Sequence, residues 1–341
     1  MSLVNLVSKL RFSAVLACLL APVTAAAGLL FEENTLLEVE LAGPLESTIE
    51  DTEQRQERPF VLRVDGSEIN VMVRARGKSR ARLCVFPPLR ISFPDNPQGT
   101  VFAGQKSLKL VSHCRDGKKG DANAMEEYLA YRIFNLLSPV SFRVRPLRIR
   151  FTDTEKRNGD EHRYAFLIES SDDLAARNRG ELVDKTGISL GQLDQQQAAL
   201  TYVFEYMIGN TDWSLVAAAE EEFCCHNGKL LEIDGAIYYV PYDFDLAGLV
   251  NARYAKPDPS LNLRNVRIRR YRGFCSNQQV LLEAVQTAVS LKNQTLDVIG
   301  SAPGLTDRER DKAISYLEDF YEKAGDSEKL TEKFARRCIE H

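Results

Sequence analysis

The chain has 341 residues, of which 44% are hydrophobic and 27% are charged, and its formal net charge is −4. This composition is enough to build a sizeable hydrophobic core, and the acidic balance gives no general reason to expect nucleic-acid binding. Residues 28–341 contain no long linker rich in proline, glycine or serine. One large domain or two closely joined lobes are therefore expected.

Residues 1–27 have the layout of a secretory signal peptide. Lys9 and Arg11 precede an apolar run, FSAVLACLLAPVTAAA, which ends in small residues suited to cleavage. The run is short for a bilayer span, and the residues before Cys18 fit a lipoprotein signal poorly. We predict a bacterial protein that is periplasmic or secreted, without a stable membrane span after cleavage. The mature net charge would be −6, because the two basic residues are removed from a chain of net charge −4.

Six cysteines remain after removal of the signal peptide. An even number of cysteines in an exported chain indicates disulfides, and no paired CxxC pattern suggests a zinc site. The sequence predicts disulfide support with the pairing left open. The six are Cys84, Cys114, Cys224, Cys225, Cys275 and Cys338.

The first part of the mature chain alternates apolar and polar residues with a period close to two. Residues 35–115 therefore predict antiparallel strands, with a hairpin turn at Asp65-Gly66. Residues 121–137 change to helical spacing. Strands return at 141–154 and 162–170, joined by a turn around Asn158-Gly159.

The second part is mainly helical. Residues 190–210 predict a helix that ends at Gly209-Asn210, and a short hairpin is expected around Asp234-Gly235. Two amphipathic helices are expected at 276–296 and 306–340. The predicted boundaries are thus a β-rich lobe with one helix over 28–170 and a mainly helical lobe over 171–341.

Three aspartates lie within apolar stretches, where a charge is costly to bury unless it is paired or holds a metal. Asp212 is in YMIGNTDWSLV, and Asp243 and Asp245 are in YYVPYDFDLAG. Asn227, between these stretches, adds an oxygen ligand suited to the same cation. The residues therefore predict a metal site on loops beside a hairpin.

A lysine on a strand and acids on the following helix complete a set typical of phosphoryl transfer. Lys109 lies between Leu108 and Leu110, and the next helix offers Glu126 and Glu127. A strand lysine, a helix glutamate, a positioning aspartate and a metal-binding acidic turn occur in this order in kinase-like folds. The predicted fold is therefore of the α+β class, a two-lobed protein-kinase-like fold with a β-rich N-lobe and an α-rich C-lobe.

The sequence resembles the CotH-type atypical kinases of spore coats and secretory pathways, and more distantly the HipA-like kinases. The resemblance is carried by RARGKSR, KSLKLVSHC, MEEYLAYRIFNLL, YMIGNTDWS, HNGKLL and YDFDLAGLVN, between residues 74 and 251. It implies an exported kinase that uses ATP and magnesium, or manganese, to phosphorylate an envelope protein or another hydroxyl acceptor.

The resemblance also implies roles for individual residues. Lys109 would bind ATP and pair with Glu127, or alternatively Glu126, and Asp212 would be the base or positioning residue. Asp243 would bind the metal. The assisting residues would be Asn227 and Asp245 at the metal, and Arg76, Lys78 and Ser79 of the RARGKS turn at the phosphates.

Residues 264–274 concentrate arginine in an otherwise acidic chain. This segment, RNVRIRRYRGF, follows the DFD motif and contains the arginines of the range Arg264–Arg272. Arginine binds carboxylates and phosphates through two parallel hydrogen bonds. The segment therefore suggests an acidic or phosphorylated partner, although a solvated strand with paired arginines explains it equally well.

Three other functions fit the same residues. A catalytically inactive kinase-like binding module would keep the fold without the reaction. A nucleotidyl transferase would leave AMP on the acceptor. A DxD-type glycosyltransferase would use Asp243 and Asp245 to hold manganese and a nucleotide-sugar, and it would assign no role to Lys109 or Glu127.

Overall fold

The computed structural model describes residues 29–156, 160–216 and 224–340. The predicted signal peptide and the turn at Asn158-Gly159 lie outside these residues. Seven strands form one sheet. They are β1 (Leu37–Gly43), β2 (Arg58–Val64), β3 (Ser67–Ala75), β4 (Leu89–Ser92), β5 (Ser107–Val111), β6 (Val144–Asp153) and β7 (Glu161–Ile168).

The sheet closes into a barrel in the order β1-β2-β3-β4-β5-β7-β6. Closure comes from β1 and β6, which pair in parallel from Leu37 opposite Leu147 to Gly43 opposite Asp153. The predicted two-lobed protein-kinase-like fold of the α+β class is therefore wrong. Period-two alternation indicates half-buried strands, but it does not reveal that the first strand returns to a partner over a hundred residues away.

The barrel interior is filled by the apolar residues of the alternating pattern. Leu41, Val73, Leu110 and Ile149 are at most 1% exposed and belong to one cluster of buried side chains. The predicted hairpin at Asp65-Gly66 is confirmed, because β2 and β3 pair from Val64 opposite Ser67 outward. Asp65 and Gly66 both have positive φ, as a tight two-residue hairpin turn requires.

Three helices accompany the barrel strands, where the sequence predicted one. They are α1 (Leu45–Glu50), α2 (Ser79–Leu83) and α3 (Lys118–Leu137). Helix α3 covers the predicted range 121–137 and begins three residues earlier. It packs on β6 and β7 outside the barrel, and Leu129 and Ile133 on this helix are completely buried in a second apolar core.

The second core joins α3 to the rest of the chain. Helix α5 (Gln195–Ile208) is capped at its start by Asp194 and at its end by Gly209, which is in the left-handed region with φ 69°. The helix end predicted at Gly209-Asn210 is thus confirmed. The elements of this part are α4 (Ser171–Arg177), β8 (Glu181–Leu182), α5 (Gln195–Ile208), β9 (Gly228–Ile233), β10 (Ala236–Pro241), α6 (Gln278–Ser290), α7 (Lys292–Ser301), α8 (Asp307–Ala324) and α9 (Ser327–Ala335).

The hairpin predicted at Asp234-Gly235 is formed by β9 and β10, to which β8 adds a third strand. The two long C-terminal helices predicted over 276–296 and 306–340 are each divided in two. Leu291 separates α6 from α7, and Asp326 caps α9 after α8 has ended at Ala324. The boundary predicted at residue 170 lies between β7 and α4 and stays a prediction.

Six cysteines of the described residues form three disulfides, Cys84–Cys114, Cys224–Cys225 and Cys275–Cys338. Disulfides persist in oxidising compartments, which agrees with a location outside the cytoplasm. Within residues 29–156, 160–216 and 224–340, no helix is both long and apolar enough to cross a membrane.

Candidate functional site

The loop after α5 holds Asp212 in a fixed arrangement. The Asn210 side-chain oxygen accepts a hydrogen bond of 3.0 Å from the Asp212 backbone N–H. Arg272 donates to the carbonyl oxygen of Thr211 and, at 3.2 Å, to that of Trp213. Two backbone groups beside Asp212 are therefore bound by a side chain from the distant arginine-rich segment.

The Asp212 carboxylate contacts two residues at the start of the β9–β10 hairpin. The Asn227 amide donates to Asp212 Oδ2 at 2.9 Å, and His226 Nε2 lies 2.9 Å from Asp212 Oδ1. The Asp212 and His226 side chains are 39% and 44% exposed, so an acceptor could reach this pair from solvent. The sequence predicts a role for Asn227 at this site but none for His226, whose only signal is its position before Asn227-Gly228.

The same hairpin connects Asp212 to the DFD motif. The Tyr242 backbone N–H donates to the Asn227 carbonyl oxygen at 2.9 Å. The next residue, Asp243, has a positive φ of 66°, and its N–H donates to the Tyr131 hydroxyl on α3 at 2.9 Å. Phe244 is fully buried with its ring 4.7 Å from that of Tyr131. The structure thus brings Asp212, Asn227 and Asp243 onto adjoining loops.

A buried arginine collects three carboxylates behind these loops. Arg80 Nη1 and Nη2 each donate to a different oxygen of Glu127 at 2.8 Å, and Nη2 also pairs with Asp243. Arg80 Nε lies 3.3 Å from Asp245. Burial of Glu127 and Asp245 is tolerable because the same guanidinium pairs with both of them. The sequence pattern did not predict this role for Arg80.

The ionisation of this cluster follows from burial and from its cations. Burial raises the pKa of Asp245 to about 8 in spite of Arg80, and burial likewise raises the pKa of Glu127. Burial opposes the ionisation of Asp243, but Arg80, Arg76 and Lys109 together lower its pKa. Asp243 is therefore the charged acid of the DFD motif at neutral pH.

Lys109 lies on β5 close to two aromatic rings. Its ammonium is 5.0 Å from the Phe142 ring centre and 5.4 Å from that of Tyr242. Burial is the main reason that the pKa of Lys109 is lowered to about 7, and the positive charges of Arg76 and Lys229 lower it further. The negative charge of Asp243 opposes the shift. Lys109 and Arg76 therefore both lie in the electrostatic environment of Asp243.

The pair expected between Lys109 and Glu127 is replaced by another contact, since Glu127 receives both of its hydrogen bonds from Arg80. The alternative acid, Glu126, accepts a 2.8 Å bond from Asn123. Burial raises the pKa of Glu126 to about 7. Glu127 on α3 is thus oriented by a cation, but that cation is Arg80 of α2 and not Lys109 of β5.

The RARGKS turn precedes α2. Lys78 and Ser79 are exposed, whereas Arg76 is half-buried and its backbone N–H donates to the Pro88 carbonyl oxygen at 2.8 Å. Burial lowers the pKa of Arg76, and Asp243 opposes that change. Arg76 thus lies in the electrostatic environment of Asp243 together with Lys109.

The proposed metal ligands divide into accessible and enclosed groups. The Asp243 side chain is 36% exposed, whereas that of Asp245 is 8% exposed and hydrogen-bonds to Tyr254. Among the described residues, no group of three or more histidines, cysteines or acids could hold a metal alone. Magnesium commonly takes one or two protein ligands beside water and phosphate oxygens. Asp243 lies on the loop that Tyr242 joins to Asn227 by a backbone hydrogen bond, whereas Asp245 is enclosed.

No family model matches this chain, and no curated protein sequence matches it. The resemblance to CotH-type kinases therefore has no support from a family model. Among solved structures, the chain is similar to the crystal structure of a Helicobacter pylori proinflammatory kinase, CtkA. The sequence identity is 12% and the TM-score is 0.37, over 83% of this chain and 98% of that one. At this TM-score the likeness carries no argument about fold or reaction.

Proposed function

We propose that this protein is an exported enzyme that transfers the terminal phosphoryl group of ATP, with magnesium, to a hydroxyl group of an envelope protein. One observation carries the proposal. An accessible carboxylate, Asp243, is surrounded by cations and lies on a loop hydrogen-bonded to the loop that holds Asp212. Phosphoryl transfer needs these elements, because its catalysis consists mainly of positioning and charge stabilisation.

The nucleotide phosphates would bind to the cations around Asp243. Lys109 and Arg76 supply charged donors, and the exposed Lys78 and Ser79 extend the donors along the turn. A triphosphate bound there would relieve the repulsion between Lys109 and Arg76. These residues would fix the reacting phosphorus in position for the acceptor.

Magnesium would be held by Asp243 and Asn227. Asp245 would assist indirectly, because it pairs with the same Arg80 that contacts Asp243. When bound, the metal neutralises the charge that develops on the phosphate oxygens. The side-chain nitrogen of Asn227 already donates a hydrogen bond to Asp212. If the side-chain oxygen of Asn227 held the metal, this hydrogen bond to Asp212 would be kept.

The acceptor hydroxyl would be oriented by Asp212. A bond forms between the acceptor oxygen and the terminal phosphorus, the bond from that phosphorus to the bridging oxygen of ADP breaks, and Asp212 takes the hydroxyl proton. Asn227 and His226 limit the rotation of the carboxylate, and Arg272 fixes the backbone on both sides of it.

A second candidate, the catalytically inactive binding module, is favoured by one observation. Arg80 already pairs with Asp243, Asp245 and Glu127, so its guanidinium supplies the positive charge that a metal would bring. In such a protein the acidic motif would be a structural ion-pair cluster. Replacement of Asp212 by alanine would then leave every binding property of the protein unchanged.

Calorimetric titration of the mature chain with ATP and magnesium tests the proposal. We expect saturable binding that Asp243→Ala abolishes and that the exposed-turn variant Asp95→Ala retains. Absence of binding at millimolar nucleotide would reject the enzyme and leave the inactive module. Where binding occurs, the mass added to an acceptor distinguishes phosphoryl transfer from AMP transfer. Lys109→Met should abolish either reaction but would spare a DxD-type glycosyltransferase.

A further inference from the structure

The arginines between residues 264 and 272 divide into an inward and an outward set. Arg269 Nε donates to the Met207 carbonyl oxygen at 3.0 Å, and its Nη1 pairs with Asp319 on α8 at 2.6 Å. Arg272 binds the backbone on either side of Asp212. These two arginines fasten the segment to the end of α5, to α8 and to the Asp212 loop.

The outward set is made of Arg264, Arg267 and Arg270, all of which are exposed. The Arg267 guanidinium lies 4.5 Å from the Tyr316 ring centre, and its Nη1 is 3.4 Å from the Gly248 carbonyl oxygen. The side chain thus contacts Tyr316 of α8 and the Gly248 carbonyl oxygen while it remains exposed. Because the inward arginines fix the backbone, the outward arginines are presented from a rigid support.

A groove of about 570 Å³ lies between this segment and α8. Its cationic lining residues are Arg267, Arg308 and Lys312, against a single acid, Asp311. The groove also contains two neutral hydrogen-bonding side chains. They are those of Asn251 and Ser315.

We propose that this groove binds an acidic segment of a polypeptide, with its carboxylate or phosphate groups on Arg267, Arg308 and Lys312. Arginine pairs with both groups through parallel, charge-assisted hydrogen bonds. The further assignment of that polypeptide as the phosphoryl acceptor rests on the proposed function. The binding itself does not depend on catalysis.

The surroundings favour a short acidic peptide over an extended polyanion. The first turn of α8 carries the acids Asp307 and Glu309 next to the groove, and the whole chain has a net charge of −4. A nucleic acid or an anionic membrane would meet those acids, whereas a peptide of a few residues would not. Ile268, 40% exposed beside Arg267, offers an apolar contact suited to a peptide side chain.

The groove is connected to the candidate site through the segment itself. Arg267 contacts Gly248, three residues after Asp245 in sequence, and Arg272 lies five residues further along the segment at the carbonyls beside Asp212. A peptide anchored in the groove would therefore bind on the stretch of chain that also positions Asp212. The groove would thus bind the acceptor through its acidic residues, at a place separate from the hydroxyl group that reacts.

Fluorescence anisotropy with a fluorescein-labelled decaglutamate peptide and the full mature chain, without nucleotide, tests this site. We expect saturable binding that weakens with added salt. The double variant Arg267→Glu/Lys312→Glu should weaken it by about tenfold or more, because two charge-assisted contacts become repulsive. The control, Lys106→Glu/Lys329→Glu, makes the same charge change at two exposed lysines elsewhere and should bind as the parent chain does.

The proposal would be overturned if decaglutamate did not bind, or if the two double variants weakened its binding equally. It would also be overturned if a single-stranded oligonucleotide or anionic vesicles bound more tightly than decaglutamate and that binding depended on Arg267 and Lys312. Nucleotide calorimetry on the same variants separates this inference from the proposed function. If the chain binds the peptide but not the nucleotide, the proposed enzyme is rejected and the groove is kept. If it binds the nucleotide but not the peptide, the groove is rejected and the proposed enzyme is kept.

Discussion

Arg80 and Glu127 form a bidentate ion pair in which two guanidinium nitrogens donate 2.8 Å hydrogen bonds to the two carboxylate oxygens. Both side chains are nearly fully buried. The pair joins the short helix α2 to the long helix α3, and the same guanidinium contacts Asp243 and Asp245. The shape of the candidate site therefore depends on one cation that lies behind it.

Removal of this cation should destabilise the fold. Arg80→Met leaves the buried Glu127 and Asp245, and the partly exposed Asp243, without their shared cation, and we expect a loss of about 3–5 kcal/mol in the free energy of unfolding. Urea denaturation measures this loss. Arg82→Met, an exposed position on the same helix, should change stability by less than about 0.5 kcal/mol. Similar losses in the two variants would contradict the central role of Arg80.

Nucleotide binding should be coupled to proton uptake by Lys109. Its pKa of about 7 results from burial and neighbouring cations, so the ammonium is mostly deprotonated at pH 8. A bound polyphosphate favours the charged form and raises the pKa, so we expect uptake of protons at pH 8 and little uptake at pH 6. Calorimetry in buffers of different ionisation enthalpy measures the number of protons. Lys109→Met should abolish the uptake at pH 8 and Lys106→Met should retain it.

Glu205 should make stability depend on pH. Burial raises its pKa to about 8 from the model-compound value of 4.5. The folded state therefore binds more protons than the unfolded state between these values, and this group lowers stability as the pH rises through that window. Glu205→Gln should remove this contribution and be more stable than the parent chain above pH 8, by on the order of 3 kcal/mol.

Thermal and urea unfolding between pH 5 and pH 9 test the Glu205 prediction. Glu283→Gln is the matched control, because Glu283 is an exposed glutamate on helix α6. It should follow the pH dependence of the parent chain. An unchanged slope in Glu205→Gln would show that the buried carboxyl does not control this dependence.

The Cys275–Cys338 disulfide should stabilise the C-terminal helices. It joins residues 63 positions apart and closes a loop that includes α6 to α9. A crosslink of this span restricts the unfolded chain, and Cys275→Ser/Cys338→Ser should lower the free energy of unfolding by about 2–4 kcal/mol. Denaturation with and without a thiol reductant provides the check. The reductant should then have a smaller effect on the variant than on the parent chain.

The features that the sequence predicted well are local. Asp65-Gly66 and Asp234-Gly235 each specify a turn through their own backbone preferences, and Gly209 ends α5 because it adopts a left-handed conformation. Helix α3 was recognisable because its apolar residues recur on one face. Each of these signals acts within a few residues, so the pattern and the structure agree.

The features that the sequence did not predict depend on distant partners. Closure of the barrel needs β1 to meet β6, and no local pattern encodes that pairing. Arg80 was one of several basic residues in a turn, and its role appears only when α3 and the DFD loop bring three acids around it. The buried acids themselves were the available signal, since each of them requires a cation. His226 likewise became notable only through its contact with Asp212.

The pairing of the first barrel strand with the sixth has a consequence for the order of folding. Strand β1 (Leu37–Gly43) can pair with β2 early, but its other edge has no partner until Asp153 is available. During N-terminal-first synthesis, that edge presents unpaired backbone donors and acceptors, which can template association with another chain. The seven residues of β1 are therefore open to such association until the barrel closes.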